Sequence, residues 1–217
     1  MKFTLIYDGD LPSSGNRPKP IEASNIRNHF HDQLRDLWDS HVVLRKLART
    51  ARVHEGYGED IAATNRNTKW DYRGPIPPVR RGYIDLCAPI FVPSANTSFV
   101  PLIRNSLHLA SALEITFLRH EEPFALMKNG GDLDGRLATL FDALQMPNPK
   151  HEYVGSQPTE NPLYTVLEDD ALISDFSIRS GRLLGERTRK PHAVRLQVDV
   201  TIKVLRVTDD NQSLIGG

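Results

Sequence analysis

The sequence predicts an α+β protein with a mixed β-sheet and two principal helices packed on it. Helical periodicity occurs in two stretches, and strand-like alternation of apolar and polar residues occurs in several others. The chain has 217 residues, enough for one well-buried core and a large insertion. We therefore expect a single domain over residues 1–217.

The last strand has the clearest pattern in the chain. Apolar residues alternate with polar ones from Val194 to Val204, so one face is expected to be core and the other polar. The same alternation predicts a strand at Leu113–Phe117, and strand-like residues predict others at Phe3–Tyr7 and Ile173–Arg179. Tyr83–Val92 is also strand-like and is cut off by prolines. We expect four or five core strands.

Two amphipathic helices are predicted. The first runs from Ser24 to about Arg52, with a break near Asp39 and Ser40. Its histidines at positions 29 and 31 are two apart and do not share a face, which argues against a metal pair there. The second helix follows Gly130 and Gly131. Its apolar face is formed by Leu133, Leu137, Leu140, Phe141 and Leu144.

Between residues 53 and 101 the periodicity fades, and glycines and prolines become frequent. Basic residues there lie beside Trp70 and Tyr72. The aromatic rings could stack on bases while the basic side chains bind phosphates. An irregular elaboration packed against the core is the alternative, and the sequence leaves both open.

Composition excludes several classes of protein. The 27 basic and 27 acidic residues balance, which excludes a globally basic nucleic-acid binder but not local basic patches. The single cysteine, Cys87, cannot form an internal disulfide. No apolar run approaches the length of a membrane span, and the first residues do not resemble a signal peptide. We expect a soluble cytoplasmic protein with no membrane partner.

Carboxylates cluster at three places: Asp132 with Asp134, Asp142, and Glu168 with Asp169 and Asp170. Acids at a helix start or in a turn often serve only as caps. The same acids gathered in one cleft would repel one another without a cation, and Mg²⁺ prefers such oxygen ligands. The clusters therefore indicate either caps or a metal site.

The order of these elements resembles the RusA-type Holliday junction resolvases. The resemblance rests on Asp-Leu-Asp at residues 132–134, Phe-Asp-Ala-Leu at 141–144, Leu-Glu-Asp-Asp-Ala at 167–171 and the terminal amphipathic strand. An early Pro-Ser-Ser-Gly-Asn loop at residues 12–16 is also similar. The resemblance covers residues 113–207 well and 3–52 weakly. Residues 53–101 and 146–162 resemble an insertion and a longer connection relative to compact members.

The resemblance implies a Mg²⁺-dependent homodimer, with Mn²⁺ as a possible substitute, that nicks four-way DNA junctions. Its metal-binding acids fall on Asp132, Asp134 and either Asp169 or Asp170, with Asp170 favoured, and its supporting acid falls on Asp142. Its usual lysine falls on Ala138, whose methyl group cannot offset the adjacent acids. Basic residues expected to contact DNA are Arg104, Arg119, Lys128, Arg136 and Arg182.

Two functions follow. The first is a metal-dependent endonuclease acting on branched DNA. The second is a catalytically impaired relative that binds DNA or a protein partner without cleavage, and it is motivated by Ala138 and by the insertion. Junction nicking and binding, measured with and without Mg²⁺, would discriminate between them.

Overall fold

The computed structural model describes residues 1–14, 19–45, 89–120, 132–148, 160–184, 193–208 and 211–215. The α+β class is confirmed, and the described strands form two mixed sheets. Most of regions 53–101 and 146–162, including Trp70 and Tyr72, lies outside the described residues. The longer elements are β1 (Lys2–Asp10), α1 (Pro20–Ser40), β2 (Ile90–Val92), β3 (Thr97–Ile103), β4 (Leu109–Arg119), α2 (Asp132–Leu144), β5 (Leu163–Leu167), β6 (Ile173–Arg182) and β7 (Ala193–Val204).

The larger sheet has four strands in the order β1-β7-β4-β6. β7 pairs antiparallel with both β1 and β4, whereas β4 and β6 run parallel. The predicted alternation in β7 is confirmed, since Val194, Leu196, Val198 and Val200 are all fully buried. These side chains fill the core between this sheet and the helices.

The smaller sheet has three strands in the order β2-β3-β5, with β3 and β5 parallel. The sequence pattern did not predict β5 as a strand, because it lacks alternation. Leu163, Thr165, Val166 and Leu167 are all buried. A parallel strand that is covered on both faces has a continuous run of apolar residues. Periodicity alone cannot distinguish such a run from other buried segments.

The first helix, α1, begins at Pro20, four residues before the predicted start, because proline is well suited to the first helical turn. It ends at Ser40, where the break was predicted. Its apolar face buries Ile26, Phe30 and Leu34. In the described part of the chain, no helix is long and apolar enough to cross a membrane.

The start of α2 is held by the segment that follows β1. The backbone N–H of Ser14 donates to the carbonyl oxygen of Gly135 at 3.0 Å. The guanidinium of Arg136 donates to the carbonyl oxygen of Leu11. α2 also packs on α1, so both of its ends have fixed positions relative to the core.

Candidate metal centre

The second helix carries its acids in one row. Asp134 and Ala138 are exposed and Asp142 is half-buried. Because they are spaced by four residues, they lie on one stripe of the helix. With about 1.5 Å of rise per residue, the Cα atoms of Asp134 and Asp142 lie about 12 Å apart along the axis. The helix begins at Asp132, whose side chain lies outside the described residues.

Three consecutive acids follow β5, and the carboxylates of two of them accept backbone N–H groups. The Glu168 carboxylate accepts the N–H of Asn105 at 3.0 Å. The Asp169 carboxylate accepts the N–H of Ala171 at 2.9 Å and thereby caps the short 3₁₀ turn at Asp170–Leu172. Within the described part of the chain, no hydrogen bond reaches the Asp170 carboxylate. Asp170 is therefore the acid of this run that is available to a ligand.

A single side chain, Gln145, joins the end of α2 to this turn. Its Nε2 donates to Oδ1 of Asp142 at 3.2 Å. Its Oε1 accepts the backbone N–H of Asp170 at 3.0 Å. The structure therefore brings two of the predicted acids, Asp142 and Asp170, to the same end of α2.

The electrostatics of Asp142 reflect this proximity. Burial raises the pKa of Asp142, and the negative charge of Asp170 raises it further. The hydrogen bond from Gln145 and the positive charge of Arg27 oppose the increase without cancelling it. The ionised form of Asp142 is thus disfavoured, mainly by burial, and a divalent cation near the two carboxylates would offset the repulsion from Asp170.

We expect Asp142→Asn to raise the midpoint temperature of unfolding at pH 7 when no divalent metal is present. The pKa of Asp142 is raised in the folded protein above the ordinary value of 3.8. The favourable contribution of the Asp142 carboxyl group to the free energy of unfolding is therefore fully present below pH 3.8. It is lost as the pH rises through the folded-state pKa. Asparagine carries no charge but keeps an oxygen that can accept the bond from Gln145.

Thermal melts of both proteins at pH 7 and at a pH below 3.8 measure this effect. The acidic melt is the control, since the carboxyl is then protonated in the folded and unfolded states alike. The two proteins should melt together there and separate at pH 7. A lower midpoint for Asp142→Asn at pH 7 would contradict the assignment.

An acid-lined cavity of about 710 Å³ lies beside Gln145 and the turn after β5. Among the described residues, its polar wall includes Asn105, Gln145, Glu168, Asp169 and Asp170. Glu168 follows directly after β5, and Asn105 lies two residues after the end of β3, the strand parallel to it. The carboxyl ends of parallel strands are a common position for ligand sites in α/β proteins. Asp170 is therefore accessible from this cavity.

The structure buries most of the arginines predicted to contact DNA. Arg104, Arg119 and Arg136 are 4%, 5% and 2% exposed. Arg104 Nε donates to the carbonyl oxygen of Pro101 at 3.0 Å, and Arg136 bonds to Leu11 as described above. Their burial corrects the expectation that they lie on a DNA-facing surface. Arg182 is exposed at the end of β6, and Lys128 lies outside the described residues.

A second polar cluster, formed by His31, Asp32 and Glu160, was not predicted. One ligand atom from each residue lies within 4.8 Å of the others, so the group could hold a metal ion. Of the described residues, these three alone meet that spacing; Asp134, Asp142 and Asp170 do not form such a group. Glu160 lies 128 residues after Asp32 in the chain, so no local sequence pattern signals the cluster.

The contacts within this cluster compete with a metal ion. Arg35 bonds to the carboxylates of both Asp32 and Glu160 and already supplies a cation. His31 Nδ1 accepts the N–H of Tyr164 at 2.9 Å, so the ring proton of the neutral imidazole must lie on Nε2. That nitrogen is 3.0 Å from Glu160 and donates to it. Neither ring nitrogen then presents a lone pair to a metal.

The charge state of Glu160 agrees with this arrangement. The hydrogen bond from Arg35 and then that from His31 lower the pKa of Glu160 from 4.5 to about 2. Its carboxylate therefore stays ionised across the physiological range. The cluster joins α1 to the segment before β5, and its contacts are those of a structural ion pair.

Short patterns such as Asp-x-Asp recur in unrelated proteins, so they do not define a family by themselves. Overall similarity to known proteins would provide the stronger test. No family model, no curated protein and no solved structure matches this chain.

Proposed function

We propose that this protein is a Mg²⁺-dependent endonuclease that nicks branched DNA. The observation that carries the proposal is that Gln145 joins Asp142 to the turn of Asp170, beside an acid-lined cavity. The resemblance to RusA-type resolvases supplies the substrate class, a four-way junction. It also supplies the expectation of a homodimer, while the expected cytoplasmic location follows from the sequence composition.

The donor set fits a hard divalent cation. The resemblance assigns Mg²⁺ to Asp132, Asp134 and Asp170, with Asp142 as the supporting acid, and all four offer carboxylate oxygens. Asp170 lies at the Asp142 end of α2, about 12 Å along the helix from Asp134, so Asp142 and Asp170 are the pair that would hold an ion there. The raised pKa of Asp142 supports the fit, because a cation nearby would stabilise the ionised form. Bound there, Mg²⁺ would supply positive charge against the scissile phosphate and would activate water as the nucleophile.

The chain's own residues have separate tasks in this proposal. Asp169 keeps the turn at Asp170–Leu172 in place through its cap, and Gln145 aligns that turn with the end of α2. Because Asp169 is engaged in this cap, the arrangement favours Asp170 over Asp169 as the proposed ligand. Arg182, exposed at the end of β6, would contact the phosphate backbone of the substrate.

One observation favours the second function, a catalytically impaired protein that binds DNA or a protein partner. Ala138 stands in the row of acids where the resolvases have a lysine, and Arg136 does not replace it. The Arg136 side chain is 2% exposed and is committed to Leu11. A site without a cation at this position would bind metal yet stabilise the transition state poorly.

The experiment that separates the functions uses a synthetic four-way junction and a linear duplex of the same sequence. Nicking and electrophoretic shift are measured with Mg²⁺, with Mn²⁺ and with chelator. Metal-dependent nicking of the junction supports the endonuclease. Junction binding that is indifferent to metal and is not followed by cleavage supports the impaired protein, and no shift at all points to a protein partner.

We expect Ala138→Lys to increase the rate of junction nicking by up to about 10²-fold, because it restores an electrostatic stabiliser. Ala138 is exposed on α2, one turn from both Asp134 and Asp142, so a lysine fits without disturbing the core. Ala138→Met is the matched control, since it adds a long side chain without the charge. An equal rate for the lysine and methionine variants would contradict this role.

A further inference from the structure

The edge strand β6 has one described neighbour, β4, which pairs along one side of it. It is ten residues long, contains no proline, and none of its residues is buried. Long edge strands are usually protected, because their free N–H and C=O groups can pair with another strand. In the described part of the chain, no strand pairs with the outer side of β6.

The outer strand also exposes apolar surface. Phe176 remains 49% exposed although its ring meets that of Phe141 on α2, with centroids 5.5 Å apart. Ile178 is partly buried and packs against the main core. Both side chains therefore lie on the helix side of the sheet, where a further strand would extend the core over Phe176.

The sequence of β6 is complementary to itself about Ser177. Asp175 and Arg179 lie two residues before and after Ser177, and Phe176 and Ile178 lie one residue before and after it. In an antiparallel pair centred on Ser177, Asp175 of each copy faces Arg179 of the other, and Phe176 faces Ile178. Directly opposed residues of opposite charge stabilise such a pair.

We propose that β6 pairs antiparallel with β6 of a second copy of this chain, with the two Ser177 residues opposed at a two-fold axis. The contact is isologous, since each copy contributes the same surface. Opposed residues then lie on the same face of the joined sheet, so the helices of both copies cover one side. The proposed function already expects a homodimer; the new element is the interface, which is argued from the strand itself and does not require nuclease activity.

The complementarity favours a second copy over an unrelated strand, because the charge pairs and the apolar pairs form together in the same register. Among the described residues of the same chain, Asp175 has a long contact to Lys203, with Oδ2 and Nζ 3.8 Å apart and both side chains largely exposed. This weak contact does not prevent an ion pair between Asp175 and Arg179 of the second copy.

Charge exchange tests the register. Sedimentation over a concentration series should show a dimer of the full chain. Each single variant, Asp175→Arg or Arg179→Asp, creates two pairs of like charges across the interface, one on each side of the two-fold axis. Each should weaken dimerisation by about tenfold or more. The double variant Asp175→Arg/Arg179→Asp restores opposite charges and should restore the dimer. Lys2→Glu, on the far edge strand β1, is the control and should leave the dimer unchanged.

Cysteine cross-linking provides a second measurement. In a Cys87→Ser background, Ser177→Cys should form an inter-chain disulfide on mild oxidation, because opposed strand residues lie within disulfide range. Ile6→Cys, which is exposed on β1, should form much less. A monomer at every concentration would overturn the proposal. A dimer that is unaffected by either single charge change, or that cross-links equally through residues 6 and 177, would overturn it as well.

Discussion

Asp170→Asn is expected to abolish metal-dependent nicking of a four-way junction, with a loss of at least about 10²–10³-fold in rate. The Asp170 carboxylate accepts no hydrogen bond within the described part of the chain and lies close enough to Asp142 to raise its pKa. Asparagine has the same shape but lacks the negative charge that would hold Mg²⁺ in the proposed site. Rates are measured on the junction under saturating Mg²⁺.

The neighbouring residue offers a matched control. Asp169→Asn retains an oxygen that can cap the N–H of Ala171, so the turn should keep its structure. We expect this variant to keep most of its activity, although it also loses one negative charge. If Asp169→Asn were as inactive as Asp170→Asn, or if Asp170→Asn still nicked at the wild-type rate, the assignment of Asp170 would be wrong.

Arg27→Met is expected to destabilise the fold by about 2–4 kcal/mol. Arg27 is 6% exposed, and its guanidinium bonds to two backbone carbonyls at the end of α2. Its Nε donates to Gln145 at 2.8 Å, and its Nη2 donates to Asp142. Methionine fills part of the space but leaves these carbonyl oxygens without their donor in a buried position.

Thermal or urea unfolding measures the change, and about 2–4 °C per kcal/mol is expected for a chain of this size. Arg35→Met is the matched control on the same helix. Arg35 forms ion pairs at the surface with Asp32 and Glu160, so its loss should have a much smaller effect. Equal destabilisation by the two substitutions would show that Arg27 does not hold the end of α2.

Several elements could be predicted from the sequence because local patterning decides them. β7 alternates apolar and polar residues, and its apolar members are fully buried. The break after α1 was expected near Asp39 and Ser40, and the helix ends at Ser40. In each case the period of the apolar residues matches the geometry of the element, and the surroundings do not override it.

Other features could not be predicted because they depend on residues distant in the chain. Arg136 was expected to contact DNA, yet it is 2% exposed and bonds to Leu11, 125 residues earlier. His31 and Glu160, 129 residues apart, meet only because α1 packs near the start of β5. The sequence alone does not show whether an arginine is a charge at the surface or a hydrogen-bond donor in the interior.

The sequence by itself determined the α+β class, the amphipathic α2 with its row of acids, and the run of acids after β5. Tertiary structure decided which of those acids are used as caps and which remain available. Gln145 joins Asp142 to the turn of Asp170, while Asp169 and Glu168 bind backbone N–H groups. The reason is physical: periodicity follows from local backbone geometry, whereas the partner of a carboxylate depends on segments that only folding brings together.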